Sequence, residues 1–150
     1  MLKKKELEFE INGNVLTVID FDWFIDKIDA IYVRNSQTIG KKSEYAIFIQ
    51  QASEIIELYF RTRDEMIIAR EYKKLYEAIQ AVNPMFDNSV EHFVLINYGN
   101  LKEVKYDSSW KGDFIKLEFN NFPLYINGGK KKCNKFKEKL DEINGKDFIC

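Results

Sequence analysis

Histidine occurs once in this 150-residue chain, at His92, and cysteine and proline occur twice each. That scarcity excludes much chemistry. One histidine and two distant cysteines, Cys133 and Cys150, cannot assemble a closed zinc site of the usual nitrogen-and-sulfur kind. The cysteines form no C-x-x-C pair, so a reducing, cytoplasmic setting is expected rather than a disulfide framework. No serine stands in a G-x-S-x-G context, and neither a P-loop nor a G-x-G-x-x-G fingerprint occurs. Long apolar runs are missing too. No stretch approaches the ~20 residues needed to cross a bilayer, and the lysines of "MLKKKELEFE" are followed by no export-type apolar segment. Net positive charge is also absent. Lys and Arg number 23 against 24 Asp and Glu, and only Arg34, Arg61, Arg63 and Arg70 are arginine. This balance argues against nucleic acid or an anionic membrane as partner.

What is present is core-forming material: 45% hydrophobic and 15% aromatic residues, enough to fold without disorder. Residues 45–50 and 55–60 are rich in Ile, Phe and Tyr around the turn "QASE", which predicts a β-hairpin. Thr62-Arg63-Asp64-Glu65 reads as a capping box that starts a helix. Ala69, Tyr72, Tyr76 and Ile79 mark its apolar face, and Pro84 ends it near Asn83. The plan recurs downstream. "DFIKLEF" and "FPLYI" flank Asn120-Asn121, and a second helix follows with the stripe Cys133, Phe136, Leu140, Ile143. Asn12-Gly13 predicts a further hairpin turn near the N-terminus. The expected fold is α+β. Two consecutive β-rich units, 1–84 and 85–150, are each closed by a C-terminal helix and packed into one globule, with "NPMFDN" as the joint.

The strand at Ile28, Ile31 and Val33, the hairpin Tyr45–Gln50 and Ile55–Phe60, and the helix from Thr62 resemble small bacterial PH-like domains, here in tandem. The resemblance implies a binding role, since that superfold hosts protein, peptide and lipid-headgroup binders more often than enzymes.

Three stretches are candidate sites. "DFDWFIDKID" sets Asp20, Asp22, Asp26 and Asp29 among Phe21, Trp23 and Phe24. As a calcium loop from Asp20 it fails, because Phe24, Ile25 and Ile31 stand where an oxygen ligand, glycine and glutamate are required. As a partner surface it offers Phe21 and Trp23 as anchors beside negative charge. Trp110, in the polar loop "YDSSWKGD", is expected to be an exposed anchor. "YINGGKKKCNK" places Gly128 and Gly129 before Lys130, Lys131, Lys132 and Lys135. These bases crowd the helix end where the macrodipole favours acids. Free backbone donors, a dipole and ammonium groups together would suit an anion.

These observations lead to an expected non-enzymatic, cytoplasmic protein-binding module. An accessory or inhibitory factor of bacterial or phage type, such as an inhibitor of a defence system, is the analogy. The partner would be a protein with an acidic surface; a homodimer is a further arrangement. The alternative is a nucleotide or other small phosphate held at Gly128–Lys132. No metal or cofactor is indicated.

Overall fold

The computed structural model describes residues 2–3, 7–36, 44–88 and 91–148. The chain is α+β, with mainly antiparallel sheets and two helices, and it divides into two compact units, Met1–Asn97 and Tyr98–Cys150.

The first unit contains β1 (Leu2–Lys3), β2 (Glu10–Asn12), β3 (Val15–Val18), β4 (Phe21–Phe24), β5 (Ala30–Asn35), β6 (Tyr45–Gln51) and β7 (Glu54–Tyr59). Helix α1 (Glu65–Val82) follows, then β8 (Phe86–Asp87) and β9 (Val94–Asn97). β2, β3 and β4 form a small meander, and the other six strands a sheet in the order β1-β7-β6-β5-β9-β8. Strand periodicity sends Ile31, Val33, Ile47, Ile49 and Leu58 to one face of the large sheet. There they share a buried core with Ile68, Tyr72, Leu75 and Ile79 of α1 and with Leu16, Val18 and Trp23 of the meander.

The helix start differs from expectation by two residues. The N-cap is Asp64, whose carboxylate accepts the Met66 N–H at 2.9 Å. Thr62 instead accepts the Asp64 N–H through Oγ1, forming the turn before the helix. The cap at Asn83, just ahead of Pro84, is as expected. The predicted joint differs more. Residues 86–97 belong to the first unit, because Val94, Leu95 and Ile96 pair with Tyr32, Ile31 and Ala30 and complete the large sheet.

The second unit has β10 (Glu103–Ser109), β11 (Gly112–Glu118) and β12 (Pro123–Asn127) in sequential antiparallel order, then α2 (Lys130–Phe148). Val104, Ile115, Leu117, Leu124 and Ile126 share one buried sheet face, and α2 lies along β10 with Cys133, Phe136 and Leu140 buried. The order strand, hairpin, helix therefore occurs twice, as β5-β6-β7-α1 and as β10-β11-β12-α2. In the first instance β5 has a second neighbour in β9, so that sheet continues past the motif.

A charged group is built into the first core. Glu71 of α1 is almost wholly buried; it accepts the Leu7 N–H at 2.7 Å and pairs with Arg70 and Lys74 at 2.9 Å each. Burial alone would raise its pKa, but the bonds from Lys74, Leu7 and Arg70 outweigh it and hold the carboxyl below its usual range. A pKa depressed by folding adds stability that is complete above the unfolded-state value and disappears as pH falls through the folded one. Glu71→Ala, which leaves the Leu7 N–H unsatisfied, is expected to cost about 1–3 kcal/mol at neutral pH. Urea unfolding at a series of pH values checks this: the gap between variant and wild type should narrow below the carboxylate range.

Candidate functional site

At the start of α2 much of the chemistry is already committed. The Gly128 N–H donates to the Asp113 carbonyl at 3.2 Å. A Cβ at Gly128 would lie 2.8 Å from Ile115 Cδ1 and 2.6 Å from Lys132 Cδ, so close approach is one reason for glycine there. Gly129, with open space beside it, has its carbonyl engaged by the Cys133 N–H. Lys132 folds back to the Asn127 carbonyl at 3.2 Å, and Lys130 stands 5.7 Å from the Tyr106 ring centre. Lys131 and Lys135 are exposed and make no ion pair among the described residues. Two of the four ammonium groups are thus occupied within the unit, and the two glycines supply a tight entry to the helix.

Trp110 sits where the sequence suggested. It forms the β10–β11 turn with Lys111, is 91% exposed, and has the Lys111 ammonium 5.3 Å from its ring. The outward face of this sheet neutralises itself: Glu118 contacts both Lys105 and Lys116, and Glu103 contacts Lys105.

The acidic–aromatic stretch is divided by the fold. Trp23 is only 7% exposed and belongs to the core, so it is not available as the surface anchor that the stretch offered. It pairs with buried Leu16 across the meander, and that register turns its ring inward. Its indole N–H finds no acceptor among the described residues. Phe21 and Phe24, at 56% and 54% exposed, remain outside, and Ile55 of β7 joins them at 55%. All four line one surface groove of about 710 Å³, in the size range of ligand and peptide sites. Asp22, Glu54 and Glu57 also line it, and among the described residues no base does. Lys27 stands nearby, 5.4 Å from the Phe24 ring centre.

Two turns shape this groove. Ile19 and Asp20 link β3 to β4 with φ of 49° and 62°, both left-handed. A β-branched residue there is strained, by about 1–2 kcal/mol, yet the turn keeps Ile19 on the groove wall. Ala52, also left-handed at φ 52°, closes the β6–β7 hairpin and donates its N–H to buried Asp29 at 2.8 Å. Sequence reasoning nominated Phe21 but missed Phe24 and Ile55. One signal was available: adjacent Ile55 and Ile56 lie in a strand, so period-two alternation must send them to opposite faces.

His92 is exposed, 3.9 Å from Glu65 and tilted against the Phe93 ring. Among the described residues no group of three or more His, Cys, Asp or Glu is placed to hold a metal ion, and no helix is long and apolar enough to cross a membrane. No family model, curated protein or solved structure matches the chain.

Lys131 offers a direct check on the electrostatics of α2. Lys131→Glu places an acid in the exposed first turn and should raise stability by about 0.3–1 kcal/mol at low ionic strength. Thermal unfolding at low and high salt measures it, and the gain should shrink in salt. A loss of stability would show that Lys131 is held by an intramolecular partner.

Proposed function

We propose that the protein is a non-enzymatic protein-binding module whose contact surface is the groove between β4 and the β6–β7 hairpin. The observation that carries this reading is the coincidence of three exposed large apolar side chains with three carboxylates and, among the described residues, no base in one concavity. Exposed apolar groups are costly to leave in water, and aromatic anchors concentrate binding energy when covered. The carboxylates favour a segment with Lys or Arg beside its apolar residues, and suppress acidic ones. An accessory or inhibitory role suits a module of this kind, since occupying a partner's segment is enough to block it. The sequence resemblance to PH-like binders points in the same direction.

The test is selection from a random peptide display library against the full chain, followed by titration with variants. Recovered peptides should be rich in apolar residues next to Lys or Arg. Phe24→Ala and Ile55→Glu should each weaken binding about tenfold or more. Both side chains are largely solvent-exposed, so both variants should fold. Peptides that bind wild type and both variants equally would rule the groove out as the contact surface.

A further inference from the structure

The groove is bordered by an unpaired strand edge, and its hydrogen-bonding pattern can be read from the ladder. The Ile25 N–H donates to the Asn14 carbonyl at 2.8 Å, which fixes the parity of the β3–β4 pairing. Trp23 and Phe21 therefore exchange their backbone bonds with Leu16 and Val18. Asp22 and Phe24 turn theirs to the other side, where β4 has no neighbour among the described residues. The Phe24 carbonyl is already taken by the Ile28 N–H at 3.2 Å. What faces outward is the N–H and C=O of Asp22 and the N–H of Phe24. On β7 the Phe60 N–H to Tyr45 carbonyl bond fixes the parity in the same way and turns Ile55 outward. Among the described residues β1 pairs with Leu58 and Tyr59 of that edge.

Native proteins usually blunt a free edge, because it templates pairing with another chain. Here the free edge carries Phe21 and Phe24 exposed at its two ends, beside an acidic groove. Building on the binding role proposed above, we infer that the partner binds as an extended β-strand. It adds to the β4 edge through Asp22 and Phe24, with apolar side chains on Phe24 and Ile55 and basic ones facing Asp22 and Glu54. A second copy of this chain is the poorer occupant, because like grooves meeting would bring the Asp22, Glu54 and Glu57 carboxylates of both copies together. In strand addition main-chain bonds supply affinity, and alternate side chains supply selectivity.

The experiment uses the tightest peptide from the library, selected on wild type and counter-selected on Phe24→Ala. Residue-resolved hydrogen exchange of the full chain is compared with and without it. The Asp22 and Phe24 amides should slow about tenfold or more on binding, while Phe21 and Trp23, already bonded to β3, change little. Methylating the peptide nitrogens that face Asp22 should weaken binding about tenfold, and methylating the alternate nitrogens should not. A peptide that binds while the Asp22 and Phe24 amides exchange unchanged, or with no alternation on methylation, overturns strand addition but leaves the groove as a binding site. A library that yields no peptide sensitive to Phe24→Ala overturns both.

Discussion

The groove depends on how the chain crosses from the meander to the large sheet. Residues 25–29 leave β4 before they join β5, and a crossing of this kind strands backbone donors and acceptors, those of Ile28 and Asp29 in the interior. Each one left unmet would cost about 1–3 kcal/mol. Here side chains and the backbone of neighbouring strands meet them. The Asn14 amide spans to Asp26 through both its oxygen and its nitrogen, and the Asn97 amide nitrogen donates to the carbonyls of Asp26 and Ile28. The Asp29 N–H and C=O are taken by the Gln50 carbonyl and the Asn97 N–H, and its carboxylate accepts the Ala52 N–H. The last bond ties the crossing to the β6–β7 turn. β4 and that turn, the two walls of the groove, are thereby fixed to the same five residues.

With its walls held by bonds that lie outside it, the groove itself can keep features that work against stability. Ile19 holds a left-handed conformation that asparagine or glycine would adopt more easily, Phe21 and Phe24 stay in water, and the β4 edge has no partner strand among the described residues. Local rules broken together in one place, with the supporting structure intact, are the pattern expected of a functional surface. The start of α2 is different. Its reversed charges look equally irregular in sequence, yet Lys130 rests on Tyr106, Lys132 returns to Asn127, and the Gly128 N–H is used by Asp113. That irregularity is largely compensated within its own unit.

Local signals were therefore legible, and long-range ones were not. The hairpins at 45–59 and 112–127, the helix ending at Asn83 and the stripe on α2 follow from period, turn residues and proline, all properties of neighbours in sequence. The unit boundary was misplaced because Val94–Asn97 joins a strand more than sixty residues earlier, and nothing local in "FVLIN" names that partner. The side to which Trp23 turns was not legible for a related reason. The acids around it suggest exposure, but its face is set by pairing with Leu16, one step out of phase with Asp22 and Phe24. Glu71 gave no warning at all, since its burial depends on the N–H of Leu7, sixty-four residues away.

The same period-two logic gives the aspartates of "DFDWF" a second consequence. A short, apolar, unpaired strand beside a groove would be expected to pair with its own copy, edge to edge. Two antiparallel copies of β4 would bring Asp22 near Asp22 with Glu54 and Glu57 close by, and like charges across a ladder oppose pairing. A partner strand with Lys or Arg at those positions meets the reverse sign. One set of carboxylates can thus do two things at once: keep the edge free of other copies of the chain, and favour a basic segment over all others. The discrimination comes as much from the repulsion as from the attraction, and it requires the edge to stay apolar between its acids.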